Sequence, residues 1–576
     1  MMNGARKREK GLAGLKHDST ASLHCIIRWV KLHCITALHH QVGQTPLHHC
    51  TASLHCIIRW VKLHCITALH HQVGQTPLHH CTASSAEEHT KGAALMCHLE
   101  RFPDVEADEV TVDEVLHNSR CFPIQFPVHT NRLESLLKIN PFKNELRKQG
   151  KVFSREVLGR YINSSYPVIH ETLLPLLPVF LEHKVDWGGE VERELYERLT
   201  VYELVEKLIK QRPVVFINPW DHYLLLDGAP GFGDFELVGK DSNPKKHLSL
   251  EQFNSYDEMR LAAFISFSSM SPFINDGGRN NCGEIGNGAT HELEGTIIGQ
   301  VGARFEKEGF MDWQDCVVKQ QQNTPENGYG KDNKSPRSGL LQAWAKLWGR
   351  DYLPTFDEVK NSPENYEYIQ LKDAYLDKQV YKARMQMLAE IMLIDASNRA
   401  KEANKLAYIH VSGIGLNEWM ISATQNKLYV DAWSQAIQAM PLNVTDKINC
   451  INFSDIPVSR IHGTKSGEKF PNTEIVVKFS KRQLLERVPK DCILVCNYPA
   501  DSNSMPGNEF WLGSLSTAGG PAAACSTSIA ELHNPLINPR MAARHLRIAS
   551  RTHGIVSVRR YIESLKQNTA GTSQKP

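Results

Sequence analysis

Short apolar runs punctuated by glycine, proline and small polar residues dominate the chain beyond residue 212. Runs at 214–218, 223–226, 261–267, 406–411, 447–453, 474–479 and 492–497 read as buried strands, each flanked by turn residues. Between them lie segments with apolar residues at helical spacing. The clearest are 191–210, 365–405 and 427–440. Residues 291–306 also read as a helix, with Leu293, Ile297, Val301 and Phe305 on one face and Gly295, Gly299 and Gly302 permitting close packing. Residues 140–212 read as mostly helical. Alternating strands and helices predict an α/β fold, a mixed sheet flanked by helices whose loops gather at one sheet edge.

The N-terminal part has a different character. Residues 20–50 and 51–81 are identical copies of a His- and Cys-rich 31-residue segment. Two copies fall short of the roughly three stacked repeats that a solenoid needs. The His and Cys content invites a zinc reading, but adjacent ligands on one element do not converge easily on one ion. A recent duplication lacking a core of its own is the preferred reading, and it is expected to be dispensable. The predicted divisions are therefore 1–90 (the repeat region, read as disordered), 91–212 (a mainly helical extension), 213–550 (the α/β domain) and 551–576 (a helix end and a polar, disordered tail). Residues 320–338 are polar enough to read as a mobile loop.

Composition narrows the class. Of 576 residues, 41% are hydrophobic and 22% charged, as in ordinary globular proteins, and a net charge of +2 gives no electrostatic case for nucleic acid or an anionic membrane. No apolar run approaches the roughly 20 residues that span a bilayer. The basic start Met1–Lys10 is not followed by an apolar signal core, and the cysteines beyond the repeat are scattered. A cytoplasmic, or nucleocytosolic, protein with free thiols is expected.

The candidate chemistry lies in two strand-to-loop transitions. The first runs from 261 through Ser268-Ser269 to Asn275-Asp276-Gly277-Gly278 and on to His291. A strand delivering a glycine-rich loop to a helix start would cradle an anion on backbone N–H groups. Asp276, Glu284, Glu292 and Glu294 place four carboxylates within 19 residues of that loop. Dipole capping explains acidic residues at a helix start equally well for Glu292 and Glu294, and a Mg²⁺ site is a further reading. Zinc is not expected, because His291 is the one nearby histidine. The second transition is Ser412-Gly413-Ile414-Gly415, followed by Trp419. Its third fingerprint position is Glu418 rather than glycine, which counts against a nicotinamide oxidoreductase. Asp227 and Asp234 flank a Pro-Gly turn and read first as turn chemistry. Trp419, Phe510 and Trp511 read as core residues or ligand platforms.

Residues 261–278, with His410-Val-Ser-Gly-Ile-Gly-Leu-Asn-Glu-Trp419 and Asn508-Glu-Phe-Trp511, resemble the paired ligand loops of macrodomains, the α/β fold that binds ADP-ribose. The likeness is to the divergent MavL type, a branch of arginine-specific ADP-ribosyl hydrolases, and it spans roughly residues 140–550. Ser268-Ser269 stand where ordinary macrodomains carry an Asn-bearing strand end, and His291-Glu292-Leu293-Glu294 only echoes the Gln-Glu-Glu of poly(ADP-ribose) glycohydrolases. The resemblance implies a macrodomain-like sheet and ADP-ribose held by Ser269, Asn275, Gly277, Gly278, Ser412, Gly413, Ile414, Gly415, Trp419 and Asn508. It further implies catalysis by Asp276 backed by Glu284, Glu292 and Glu294, with Asp227, Asp234 and Asp501 as reserve candidates. Neither cofactor nor metal is implied, and the expected partner is an ADP-ribosylated protein. The alternative is a module that binds ADP-ribose or a related nucleotide without turnover.

Overall fold

The computed structural model describes residues 95–103, 108–138, 153–362, 367–517 and 519–572. The repeat at 20–81 lies outside them. The described residues form one compact unit.

A nine-stranded mixed sheet forms its centre. In chain order the strands are β1 (Tyr166–His170), β2 (Ser266–Pro272), β3 (Glu294–Gln300), β4 (Leu406–Val411), β5 (Ile448–Ser454), β6 (Val476–Ser480), β7 (Cys492–Pro499), β8 (Arg547–Ser550) and β9 (Gly554–Ser557). They lie side by side as β6-β5-β4-β7-β3-β2-β1-β8-β9. Strands β6, β5, β4, β7 and β3 run parallel, so the loops leaving them share one edge. Strand β2 is antiparallel to both neighbours, and its outgoing loop leaves at the other edge. Strand β1, from the segment expected to be a helical extension, sits inside the sheet between β2 and β8.

Alternation along the strands feeds two cores, as period-two geometry requires of a sheet covered on both faces. Ala407, Ile409 and Val411 of β4 join one core, whereas Tyr408 joins the other. The first core is covered by α3 (Leu176–Trp187), α4 (Val201–Lys210), the 25-residue α6 (Lys378–Glu402) and α7 (Gln425–Ala439). The second is covered by α1 (Val112–Cys121), α2 (Arg155–Asn163) and α8 (Gly519–Ser526). Among these elements stands α5 (Tyr256–Ala262), started by a capping box in which Glu258 Oε2 accepts from Ser255 N at 2.8 Å. A three-stranded ribbon (Val215–Ile217, His222–Leu224, Pro230–Gly231) lies outside the main sheet.

Five sequence expectations need correction. The segment 291–306 is not a helix but strand β3 and the loop leaving it. The β-branched run Thr296-Ile297-Ile298 favours strand. Each of its glycines admits a neighbour: Gly295 the Phe273 ring, Gly299 the Tyr498 ring, Gly302 the backbone of Gly415. The apolar run at 261–267 divides between the end of α5 and the start of β2. At the C-terminus, α9 (Val558–Thr572) runs as far as Thr572, into the start of the expected tail. The region 365–405 is helical only from Lys378; strands Tyr368–Gln370 and Ala374–Asp377 precede it. Residues 320–338 form a turn-rich segment tied by side-chain hydrogen bonds, such as Asn323 Nδ2 to Pro354 O at 3.1 Å.

Candidate active site

The loops that leave β3, β4 and β7 meet at the shared edge. Gly415, at φ +77°, packs directly on Gly302: a Cβ on Gly302 would lie 2.4 Å from Gly415 N. Two loop backbones can approach this closely only where neither carries a side chain. The β4 loop is fixed further by Ser412 N donating to Asn497 Oδ1 (2.7 Å) and by Tyr429 OH donating to Ser412 O (2.9 Å). Asn497 in turn donates to Gln300 Oε1 (3.3 Å), and Gln300 donates to Leu388 O (2.9 Å). A polar chain thus runs from the Ser412 loop across β7 and β3 to α6.

The β3 loop carries Arg304 into full burial. Its guanidinium donates to Asn503 Oδ1 (2.5 Å), Ser502 Oγ (3.1 Å) and Met259 O (3.1 Å), and faces Asp501 Oδ1 at 3.7 Å. Asp312 accepts from Arg304 N (3.0 Å) and from Arg384 Nε (2.8 Å). These bonds tie the β3 loop, the β7 loop, α5 and α6 into one platform.

Three carboxylates stand on that platform. Asp501 has a side chain 13% exposed. Burial raises its pKa, opposed by Arg304 and Arg212. Burial also raises Glu306, which Arg304 opposes, and Glu509, to which Asp501 adds repulsion. Glu306 Oε1 accepts from Asn218 Nδ2 (3.0 Å), whereas its buried Oε2 has no hydrogen-bond partner among the described residues. Arg212 is buried beneath, its pKa pushed down to about 10 by desolvation, and its Nη2 also lacks a partner. Leaving a buried polar group unmatched costs about 1–3 kcal/mol. A buried acceptor and a buried donor of this kind are completed by water or by a polar ligand. Raised carboxyl groups beside buried cations also suit proton transfer.

The structure separates the two loops expected to act together. Asn275–Gly278 follows β2, leaves at the opposite edge, and packs on Leu484 and Leu485. Asn275 Oδ1 accepts from Gly277 N (2.9 Å), and Asp276 Oδ1 accepts from Gly278 N (3.0 Å), both local turn bonds. The carbonyl of Asp276 accepts from Leu485 N. Glu284 is exposed, Glu292 Oε1 accepts from Val488 N (3.0 Å), and Glu294 Oε2 accepts from Tyr161 OH (2.6 Å) and pairs with Arg160 at 3.3 Å. Ser269 is buried against His533 Nε2 at 2.8 Å.

Ser412, Gly413, Ile414, Gly415 and Trp419 do lie at the shared edge, Ile414 buried and Trp419 half-buried. Asn508 brackets Phe216, donating to its carbonyl and accepting from its N–H, both at 2.9 Å, with Asp501 Oδ2 3.4 Å away. Asp227 is an exposed turn residue bonded to Ala229 N (2.9 Å), and Asp234 pairs with Lys245. Phe510 and Trp511 are core, the latter packed at a tilt on Phe122 and edge-on against Phe126. Arg212, Arg304, Glu306 and Glu509 were not singled out from sequence. The available signal was a Gly302-Ala-Arg-Phe-Glu306 loop following a β-branched strand. Among the described residues, no group of three or more His, Cys, Asp or Glu is placed to hold a metal ion. No described helix is long and apolar enough to cross a membrane.

A family model described as ADP-ribosylhydrolase MavL-like matches residues 113–564. Two Drosophila melanogaster proteins, ADP-ribosylarginine hydrolases CG2909 and CG3568, are similar to the chain, 35% identical over 419 residues and 36% over 420. Each alignment covers 70% of this chain and 82% of the relative. The chain belongs to the MavL-like ADP-ribosylhydrolase family.

Proposed function

We propose that the protein removes ADP-ribose from arginine side chains of modified proteins, in a macrodomain-like crevice at the shared edge of β3, β4 and β7. The family and the arginine hydrolase relatives support the reaction. The single observation that carries the site is the acidic platform of Asp501, Glu306 and Glu509 beside the paired Gly302 and Gly415 loops.

The bond to be cut joins the ribose anomeric carbon to a guanidinium nitrogen. In this reading the diphosphate lies along the backbone of Ser412–Gly415, above the buried Arg212. The free Oε2 of Glu306 suits the planar cation of the substrate arginine. In this reading Asp501 manages the protons. Water oxygen bonds to the anomeric carbon as the carbon–nitrogen bond breaks. A carboxylate takes the water proton, and a carboxyl group supplies one to the departing guanidine. The products are ADP-ribose and an unmodified arginine. The site is intracellular in this reading, facing cytoplasmic proteins.

The test is release of ADP-ribose from an arginine-modified protein by the purified chain, followed by chromatography. Steady release is expected, with little from serine- or glutamate-linked conjugates. Binding of free ADP-ribose without release from any conjugate would instead make the crevice a recognition module.

A further inference from the structure

We propose that the ribbon of residues 214–239 is a docking surface for the basic polypeptide that carries the modified arginine, with Trp220 and Phe232 as its contact points. The proposal deepens the arginine hydrolase reading and rests on it.

Two exposed aromatic side chains stand on this ribbon. Trp220 is 77% and Phe232 66% exposed, the two most exposed of the large apolar side chains here apart from Leu442. They occupy neighbouring turns, because Gly233 N donates to Trp220 O at 3.1 Å. Phe232 is stacked flat on His222, with centroids 4.5 Å apart and planes 9° from parallel. Beneath them the ribbon is well anchored. Phe216 packs edge-on against Phe235 (4.7 Å), and Asn508 clamps the Phe216 backbone. An exposed aromatic held rigidly gives contact area with little ordering cost on association.

The ribbon also reaches the site. Asn218, two residues before Trp220, donates to Glu306 at 3.0 Å, and Tyr256 OH bonds both Asn218 and Asp221. A polypeptide whose arginine enters beside Glu306 therefore passes next to Trp220. Charge selects the kind of polypeptide. Residues 214–239 contain Asp221, Asp227, Asp234 and Glu236 and neither Lys nor Arg. Lys307 bridges Asp221 and Glu236, and Lys245 pairs with Asp234. Asp221 is buried and shares Lys307 with Glu236, and Asp234 is paired, so the exposed Asp227, with only a backbone partner, supplies the unpaired negative charge of the ribbon. Such a surface attracts basic segments and stacks cationic side chains on its aromatic rings.

Two substrates separate this role from the chemistry. One is an arginine-ADP-ribosylated protein with basic flanks; the other is ADP-ribosylated agmatine, which has the guanidinium and no polypeptide. Trp220→Ser and Phe232→Ser should each lower kcat/KM on the protein by roughly tenfold, the usual scale for an aromatic contact point. Asp227→Lys should lower it too, most at low salt. All three should leave kcat/KM on the agmatine conjugate within about twofold. Unchanged rates on the protein, or equal losses on both substrates, overturn the docking surface while the hydrolase reading stands. A wild-type chain that cleaves neither conjugate overturns the hydrolase reading, and the docking surface with it.

Discussion

In Glu306 one carboxylate oxygen accepts from Asn218 and the other is buried without a partner, whereas in Glu294 an oxygen is engaged by both Tyr161 and Arg160. Spacing along the chain cannot distinguish these two acids. Only the surroundings do, and these come from residues 80 or more positions away. Glu306→Gln keeps the shape and removes the charge. It should raise KM for an arginine-linked conjugate about tenfold, because a hydrogen bond to a charged group is worth ~1.5–3 kcal/mol. Calorimetric affinity for free ADP-ribose should not change, since that ligand lacks the guanidinium. Equal weakening for both would remove Glu306 from the arginine pocket. The Asp276 turn was legible as a glycine-rich loop, but a loop that closes on itself and one that waits for a ligand share the same residue types. Asp276 Oδ1 is used by Gly278 N just as Asp501 Oδ1 is used by Asn503 N, so the turn bond does not separate the two acids; the sheet edge on which each stands does.

Strand β3 shows where element-level reading fails. Gly295, Gly299 and Gly302, like Leu293, Ile297, Val301 and Phe305, recur at intervals near helical spacing, yet the segment is extended. The interval suits both readings, and contacts decide: the glycines are spaced to receive Phe273, Tyr498 and Gly415. Mistaking β3 for a helix hid the loop after Gln300, and with it Arg304 and Glu306. Strands β4, β5, β6 and β7 were legible because each is a compact apolar run bounded by polar turns. The loop pair gives a direct prediction. In Gly302→Ala the methyl group meets Gly415 backbone at 2.4 Å, which neither loop can relieve by turning a side chain. We expect loss of most turnover and a lower melting temperature, an overpacked site typically costing ~1–3 kcal/mol. Wild-type kinetics in Gly302→Ala would show that the two loops need not touch.

The whole sheet buries ionisable groups, and that sets its response to pH. Burial pushes His410, His533 and His545 down to about 3, with nearby arginines adding to the shift. The unfolded chain protonates histidine near pH ~6.5. Between that pH and about 3 the unfolded state gains protons that the folded state excludes, so stability falls as pH falls. The raised carboxyl groups of Asp501, Glu306 and Glu509 act in the opposite sense, costing stability as pH rises through their own raised values. Melting temperature should therefore decline from pH 7 to pH 4, and His533→Gln should make the decline shallower. A flat profile over that range would mean the buried histidines are paired differently. His533 bridges Ser269 and Tyr498 at 2.8 and 3.0 Å, so a substitution expected to disturb a ligand loop would here disturb the core.

Two single substitutions divide the molecule most directly, one at each edge of the sheet. The measurement is the rate of ADP-ribose release from an arginine-modified protein by Asp501→Asn and by Asp276→Ala, each checked for folding and for ADP-ribose affinity. Loss of a general acid or base usually costs about a hundredfold or more in turnover. A group acting mainly in the transition state costs turnover more than affinity. We predict that Asp501→Asn is slowed on that scale while still binding ADP-ribose, and that Asp276→Ala stays within a few-fold of wild type. The reverse pattern, a folded Asp276→Ala without turnover beside an active Asp501→Asn, would contradict the placement of the active site at the shared edge.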